Sequence, residues 1–409
     1  MSHIAILGCG ASGLVAAICL AREGFKVTIV EAKPRIGQKL LVTGNGRCNL
    51  TNLNITKNNY HSNNPDFVHG IITKYNCDEV LAFFKSIGLY TYNNNGLVYP
   101  LSNKASSVLD LLRATIQKYN VTVITDFEIK SVSKTKKEFV IKNIKGTEIQ
   151  ASQVIIATGL NAYTGTDIGL KILKSLGHSC NKTYPALVQL KTQDPFIKGL
   201  KGVKVNGKIK IYRNNKIIRE ERGEILFTEY GISGIAVMQV SYLFSVYDDC
   251  SLKLDFLPDM TTSDLVNILR DLKSLYKNST LSNGEYLTGL MDKKLGIRII
   301  KQAKTEEPDL LAKFLKSMPI KISGPNGMKN AQICGGGAIL DDFNGDSLES
   351  KHIQGLYAIG EVLDVIGDCG GYNLHWAFAT ALCVYDAIVH GNVEKSSHHR
   401  NFERRLGLF

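Results

Sequence analysis

Blocks of apolar and polar residues at the start of the chain predict a strand, a tight turn and a helix. Ile4–Leu7 is an apolar run typical of a buried strand, and Leu14–Arg22 has the pattern of a helix. Gly8-Cys9-Gly10-Ala11-Ser12-Gly13 joins the two, and Lys26–Val30 predicts a second strand that ends at Glu31. Strand, G-x-G-x-x-G and helix, in this order, are what a dinucleotide-binding turn requires.

Each glycine of this turn has its own expected role. Gly8 allows the tight turn, Gly10 lets a pyrophosphate approach the backbone, and Gly13 lets the helix pack close to the strand. The free N–H groups at the start of the helix are expected to hold the phosphates. Glu31 is expected to accept hydrogen bonds from ribose hydroxyls. The alternative is a glycine turn that binds no ligand.

The pattern that follows predicts further strands and helices of the same domain. Helical periodicity covers Asp78–Ile87 and Ser106–Tyr119. A small meander of strands is predicted at Val121–Thr125, Ile129–Ser133 and Phe139–Ile144. A buried strand then ends in Ala157-Thr158-Gly159, the type of segment that returns the chain to the dinucleotide sheet in two-domain flavoproteins.

From Pro185 the pattern changes to that of antiparallel strands. These strands are predicted at Gly202–Ile211, Lys216–Glu221 and Glu224–Thr228. Asn206-Gly207 and Asn214-Asn215 have the residues of tight turns. Gly231–Gly234 is expected to open an apolar helix, and helical periodicity prevails over Asp259–Met318. The middle of the chain is therefore predicted to be an insertion into the dinucleotide domain.

The last part of the chain predicts a second strand-to-helix site. Leu356–Ile359 is a strand that closes on Gly360-Glu361, and Gly370-Gly371-Tyr372-Asn373 opens the apolar helix Leu374–Ile388. Glu361 is expected to bind ribityl hydroxyls of a flavin. The N–H groups at the start of the helix are expected to face the flavin N1/O2 edge and stabilise the negative charge formed there on reduction. A second strand–helix unit without a cofactor is the alternative.

A second glycine-rich stretch, Thr43–Asn52, lies between the first motif and the helices. Gly44 and Gly46 suggest close approach of the backbone to a ligand. Arg47 is expected to serve a pyrophosphate or an anionic substrate group.

Composition and charge narrow the class of protein. With 409 residues the chain is long enough for two or three domains, and no uninterrupted apolar run of about 18 residues predicts a membrane span. The net charge of +12 is spread along the chain, which favours a lysine-rich surface over a nucleic-acid partner. Nine cysteines without C-x-x-C or zinc-type spacing argue for the reducing cytoplasm and against a disulfide framework or a metal site.

These stretches together resemble the bacterial YhiN-like or BaiN-like family of FAD-dependent flavoproteins, also described as aminoacetone-oxidase-type enzymes. Arg47-Cys48-Asn49 and Gly371-Tyr372-Asn373 are the specific part of the resemblance, because a generic Rossmann protein lacks them. The other matching stretches are Gly8–Gly13, Gly37–Asn52, Ala157–Gly159, Pro185–Val188, Leu226–Thr228, Gly231–Gly234, Ala331–Gly337 and Gly360–Asp364.

The resemblance implies an α/β fold with a Rossmann-like FAD-binding domain of the glutathione-reductase type over residues 1–186 and 336–409. It also implies a β-barrel-like insert at 187–257 and 318–335 and a helical domain at 258–317. With the motif residues, it predicts FAD contacts at Gly8, Gly10, Ala11, Ser12, Gly13, Glu31, Ala32, Lys39, Arg47, Cys48, Asn49, Ala157, Thr158, Gly159, Gly360, Glu361, Gly371, Tyr372 and Asn373.

The predicted function is an FAD-dependent oxidoreductase acting on a small organic substrate, with hydride transfer through flavin N5. The reaction either reduces an activated C=C bond or oxidises an amine. The middle of the chain lacks a second G-x-G-x-x-G, so NAD(P)H would dock at the flavin as a transient reductant, or another donor or O₂ takes part. The alternative is a basic FAD protein that binds or modifies RNA.

Three residues are candidates for a proton donor, namely Tyr372, His375 and Cys334. Each also has an ordinary structural interpretation, because Tyr372 can pack or cap the helix, His375 can be a packed histidine and Cys334 a small buried apolar residue. The sequence therefore assigns no catalytic acid.

Overall fold

The computed structural model describes residues 2–281 and 284–390, which form two compact units. The first unit contains residues 2–183 and 333–390, and the second contains the described residues of 184–332. Residues 391–409 of the predicted FAD-binding domain lie outside the described residues. The division of the insert into a β-barrel-like and a helical domain stays a prediction. Within the described chain, every helix is too short or too polar to cross a membrane.

The first unit alternates strands and helices, as the sequence pattern predicts for most of its length. Its strands are His3–Leu7, Lys26–Val30, Thr51–Asn52, Tyr60–His61, Thr91–Asn94, Leu97–Pro100, Thr122–Ile124, Ile129–Lys134, Phe139–Asn143, Glu148–Ala151, Gln153–Ile156, Cys180–Ala186, Ile333–Ala338, Leu356–Ala358 and Ile366–Gly367. Its α-helices are Ala11–Arg22, Gln38–Val42, Pro65–Lys74, Cys77–Ser86, Ala105–Lys118, Asn161–Thr164, Ile168–Ser175 and Tyr372–His390.

A parallel sheet forms the centre of the first unit. In the described residues its strand order is Leu356–Ala358, Gln153–Ile156, His3–Leu7, Lys26–Val30 and Thr122–Ile124. Ile4, Ile6 and Leu7 are fully buried, as expected for a strand that is covered on both faces. The carboxyl ends of these strands lie at one edge of the sheet, where open α/β sheets bind their ligands.

The prediction for Val121–Thr125 is wrong in its pairing. Thr122–Ile124 runs parallel to Lys26–Val30 at the edge of the central sheet and takes no part in a meander. The antiparallel meander instead consists of Ile129–Lys134, Phe139–Asn143 and Glu148–Ala151. A run of three to five apolar residues does not itself indicate which sheet it joins.

The second unit is an antiparallel sheet with helices that share its core. The sheet order in the described residues is Met318–Ile320, Ser251–Asp255, Lys204–Arg213, Lys216–Phe227, Gly231–Ser233, Leu190–Thr192 and Ile322–Pro325. The α-helices are Ile235–Val240, Leu243–Val246, Thr262–Leu275, Lys293–Ala303 and Pro308–Lys316. Buried residues of strands and helices, such as Ile209, Phe227, Leu265 and Leu315, belong to one hydrophobic core.

Two local predictions for this unit are wrong. Asn206-Gly207 lies within the strand Lys204–Arg213, where Gly207 pairs with Gly223, and does not form a turn. A β-carbon on Gly207 would lie 2.8 Å from the Asp255 carbonyl oxygen, so this glycine permits close approach of the neighbouring strand. The segment 231–233 is a strand, and the apolar helix begins only at Ile235.

Candidate functional site

The glycines of the first turn divide into two that are needed for packing and one that faces open space. Gly8 has φ +107°, and a β-carbon there would lie 2.5 Å from the Ala157 carbonyl oxygen. A β-carbon on Gly13 would lie 2.2 Å from the Gly8 carbonyl oxygen. At Gly10, by contrast, no described atom lies within 4 Å of the β-carbon position. This space is what a pyrophosphate would need.

The helix after the turn begins in a way that suits an anion. Ala11 is its first residue, and Gly10 in the cap position provides no side-chain hydrogen bond. The first-turn N–H groups of a helix have no partners within the helix, so they can bind phosphate oxygens. Ser12 is buried in this first turn. The geometry therefore fits the diphosphate of a dinucleotide.

The Glu31 carboxylate is held at the end of the second strand by two backbone amides. The Cys9 and Lys33 N–H groups each donate to it over 2.9 Å. Ala32, also predicted to contact FAD, is exposed beside it. A carboxylate oxygen can accept more than one hydrogen bond, so Glu31 keeps acceptor capacity for ribose hydroxyls.

An open cavity of about 560 Å³ lies beyond Glu31. It is lined by Pro34, Arg35, Ile36, Gln38, Leu41, Arg113, Val123 and Thr125. Arg113 is positioned by a hydrogen bond from its Nη2 to the Ile36 carbonyl oxygen over 2.8 Å. The cavity adjoins the carboxyl end of the edge strand, the side on which open α/β sheets bind their ligands. The sequence pattern misses Thr125 because it predicts Val121–Thr125 as part of the meander. It misses Arg113 because a helical pattern over Ser106–Tyr119 gives no sign of a ligand.

Gly360 and Glu361 lie close to the first turn and to Lys39, although they are more than 300 residues away in sequence. Gly360 has φ +72°, and a β-carbon there would lie 2.7 Å from Ser12 Oγ. Glu361, next in the chain, forms an ion pair with Lys39 and accepts a hydrogen bond from the Cys334 N–H over 3.0 Å. The two glycine motifs predicted separately therefore belong to one site.

The Ala157-Thr158-Gly159 segment lines the same site. Ala157 contacts the Gly8 turn as described, and a β-carbon on Gly159 would lie 3.6 Å from a Glu361 carboxylate oxygen. Thr158 donates its hydroxyl hydrogen to the Gly159 carbonyl oxygen over 3.1 Å. Gly159 has φ +62°, a conformation that favours glycine.

The second glycine-rich stretch packs against the start of the C-terminal helix. A β-carbon on Gly371 would lie 2.6 Å from the Thr51 carbonyl oxygen and 3.0 Å from Asn49 Oδ1. Asn52 Nδ2 donates to the Gly370 carbonyl oxygen over 3.0 Å. Thr51 and Asn52 were not among the predicted site residues, although they directly follow the Arg47-Cys48-Asn49 stretch.

Three predicted FAD residues have protein partners that define what they can still do. Arg47 is half-buried, with its guanidinium 4.7 Å from the centre of the Tyr99 ring. Cys48 is fully buried, and burial raises the pKa of its thiol to about 11. The Asn373 side chain donates to the Gly367 carbonyl oxygen and accepts from its N–H, each over 2.8 Å. The Asn373 amide therefore fixes the loop before the helix, and its contact with FAD stays a prediction.

Burial shifts the pKa of each of the three candidate proton donors. His375 is fully buried, its Nδ1 lies 2.9 Å from Thr51 Oγ1, and burial lowers its pKa to about 3. Burial raises the pKa of Cys334 to about 12 and also raises that of Tyr372. At neutral pH all three side chains are therefore uncharged, and His375 is packed in the interior.

Comparison with known proteins agrees with this geometry. The family model described as the HI0933-like protein Rossmann domain matches residues 2–386. A 3-dehydro-bile acid delta(4,6)-reductase of Clostridium scindens is 38% identical over 401 residues, which cover 93% of this chain and 97% of that protein. A ribosomal RNA dihydrouridine synthase of Escherichia coli is 28% identical over 400 residues, which cover 94% of this chain and 97% of that protein.

A solved structure supports the fold alone. The 3-ketosteroid delta1-dehydrogenase from Sterolibacterium denitrificans superposes with a TM-score of 0.53 at 9% sequence identity. The match covers 96% of this chain and 100% of that chain. The two proteins therefore share a similar fold over nearly the whole of both chains.

Proposed function

The chain belongs to the HI0933-like family of FAD-dependent oxidoreductases, and we propose that it reduces an activated C=C bond in a small organic molecule. The family resemblance noted in the sequence is thereby confirmed, and with it FAD as the cofactor of the family. The observation that carries the proposal is the 38% identity to a protein named as a delta(4,6)-reductase. The approach of Ser12 to Gly360 and the ion pair of Lys39 with Glu361 support a flavin site in this chain.

The names of the two relatives support reduction over amine oxidation. One is called a delta(4,6)-reductase and the other a dihydrouridine synthase, and both terms describe the addition of hydrogen to a C=C bond. A C=C bond is activated for this reaction when it is conjugated with a carbonyl group. Such a bond accepts hydride at one carbon and a proton at the other.

The residues of this chain would bind and orient the cofactor. The first-turn N–H groups around Ala11 would hold the diphosphate, Glu31 the adenosine ribose, and Glu361 the ribityl hydroxyls. Bound FAD supplies hydride transfer at N5. Tyr372 and Cys334 stay protonated at neutral pH because burial raises the pKa of each, and either one would be a candidate donor of the single proton that accompanies the hydride.

Anaerobic reduction of the purified protein tests this proposal. We expect a yellow protein whose flavin absorbance is bleached by NADH or NADPH and restored by a conjugated enone, such as a 3-keto-4-ene steroid. The matching saturated ketone serves as the control and should not restore it. A protein that stays colourless after reconstitution with FAD would contradict the proposal, and reoxidation by O₂ alone would favour an oxidase.

A second candidate is reduction of the uracil ring in ribosomal RNA. It is favoured by the 28% identical relative and by the net charge of +12. The basic side chains of the second unit offer it less support, because many are paired with acids, for example Lys204 with Glu224 and Arg213 with Asp249. Binding to ribosomal RNA that weakens steeply with salt, together with dihydrouridine formation, would establish it.

A further inference from the structure

The Asn49 side chain is buried without a partner for its oxygen. The residue is only 7% exposed. Its Oδ1 is shielded from solvent and accepts no hydrogen bond from any residue within 2–281 and 284–390. Folded proteins rarely leave a buried carbonyl unsatisfied, because it has lost its hydrogen bonds to water. The oxygen is therefore poised to accept a hydrogen bond from a ligand.

The position of this oxygen is fixed by its neighbours on both sides. A β-carbon on Gly44 would lie 2.8 Å from the Asn49 backbone nitrogen, and one on Gly371 would lie 3.0 Å from Asn49 Oδ1. Cys48, directly before it, has φ +59°, which a residue with a β-carbon adopts only where its surroundings require it. Asn49 Oδ1 thus lies beside the start of the helix Tyr372–His390.

An acceptor beside a helix start has a specific match in a flavin. The oxidised isoalloxazine ring carries a single ring N–H, at N3, and the acceptor O2 is adjacent to it. The helix start offers N–H donors for O2, and Asn49 Oδ1 beside it offers the acceptor for N3–H. The helix-start donors and the Asn49 acceptor therefore match O2 and N3–H on the pyrimidine edge of the flavin.

We propose that Asn49 Oδ1 accepts a hydrogen bond from flavin N3–H and so determines the position of the ring. The proposal rests on the proposed function in that FAD is the cofactor. In this proposal Asn49 binds the reacting end of FAD. Arg47 and Cys48 differ from it, because the Arg47 guanidinium lies over the Tyr99 ring and the Cys48 side chain is fully buried.

Asn52 is the matched control, because it is a buried asparagine whose amide is satisfied within the protein. It is 5% exposed, its Nδ2 donates to the Gly370 carbonyl oxygen over 3.0 Å, and its Oδ1 accepts from the Asn54 N–H over 2.9 Å. Asn52→Ala removes two protein hydrogen bonds, whereas Asn49→Ala removes none at Oδ1. We expect Asn52→Ala to lower the melting temperature of the apoprotein more than Asn49→Ala does.

Titration of the apoprotein with FAD and with 3-methyl-FAD, followed by flavin fluorescence, tests the contact. The wild-type protein should bind FAD about 10-fold or more tightly than the analogue, whose N3 has no hydrogen. Asn49→Ala should bind FAD more weakly and lose this preference, because the missing side chain leaves room for the methyl group.

Three outcomes would overturn the inference. Equal binding of both flavins by the wild-type protein would show that N3–H has no partner. A full preference retained in Asn49→Ala would assign that partner to another residue. A wild-type apoprotein that binds neither flavin would instead contradict the proposed cofactor itself, and the inference with it.

Discussion

Ser12 Oγ lies 2.7 Å from the position that a β-carbon on Gly360 would occupy. Ser12 belongs to the first turn of the helix Ala11–Arg22, and Gly360 lies two residues after the strand Leu356–Ala358 of the central sheet. Each glycine motif alone is compatible with any nucleotide. Their contact brings both strand-to-helix turns together, which supports the proposal of a bipartite site that one cofactor spans.

This contact predicts the effect of Gly360→Ala. The added β-carbon meets Ser12 and forces alanine into a positive φ, so we expect a loss of roughly 1–3 kcal/mol in the free energy of unfolding and weaker FAD binding. Gly24→Ala is the control, because Gly24 has φ +83° but no described atom within 4 Å of the β-carbon position. Urea unfolding measures both, and equal losses would show that the Ser12 contact contributes nothing.

Gly10→Ala should separate cofactor binding from stability. Its β-carbon meets no described atom within 4 Å, so the apoprotein should unfold at an unchanged urea concentration. The methyl group would occupy the space of the diphosphate, and we expect FAD affinity to fall about 10-fold or more. Gly70→Ala, in the exposed part of the helix Pro65–Lys74, should leave affinity unchanged. Unaltered affinity in Gly10→Ala would place the diphosphate elsewhere.

Glu361→Gln tests the charge beside the flavin. Glutamine keeps an oxygen for the Cys334 N–H but loses the ion pair with Lys39, so FAD affinity should fall about 10-fold. Glu148→Gln breaks the exposed pair between Glu148 and Lys142 and is the control, since exposed pairs contribute little. Fluorescence titration measures both. A fall of the same size in Glu148→Gln would argue for a general charge effect.

His375 should make stability depend on pH. Its pKa is lowered from 6.5 to about 3 by burial, so the unfolded chain binds an additional proton between these values. Stability from this residue is complete above pH 6.5 and is lost as the pH falls, by roughly 2 kcal/mol at pH 5. Urea unfolding at pH 7 and pH 5 should show a smaller pH effect in His375→Gln. An equal pH effect in both proteins would assign it to other groups.

The hydrophobic pattern of the sequence predicts the strands correctly where a continuous apolar run adjoins a recognisable turn. Ile4–Leu7 and Lys26–Val30 form adjacent parallel strands as predicted, because continuous apolar runs beside a glycine turn have few alternatives. Thr122–Ile124 was assigned to the wrong sheet, because a short edge strand carries no signal for its partner. Asn206-Gly207 was predicted as a turn, because glycine serves turns and close strand approach alike.

The contacts that define the candidate site join residues far apart in the chain, so local sequence pattern cannot predict them. Lys39 and Glu361 are 322 residues apart in sequence, and the Thr51–His375 contact joins residues 324 apart. Periodicity describes one element at a time, so only the resemblance placed these residues in one site. The unsatisfied oxygen of Asn49 is a property of the folded environment alone.

The bipartite site also determines when the holoprotein can form during synthesis. The strand Leu356–Ala358 and the residues Gly360 and Glu361 are translated only after the whole second unit has been translated. Until then the nascent chain lacks the partner of Ser12 and the edge strand beside Gln153–Ile156. The proposed FAD site can therefore be complete only once residue 361 has been translated, long after the Gly8–Gly13 motif.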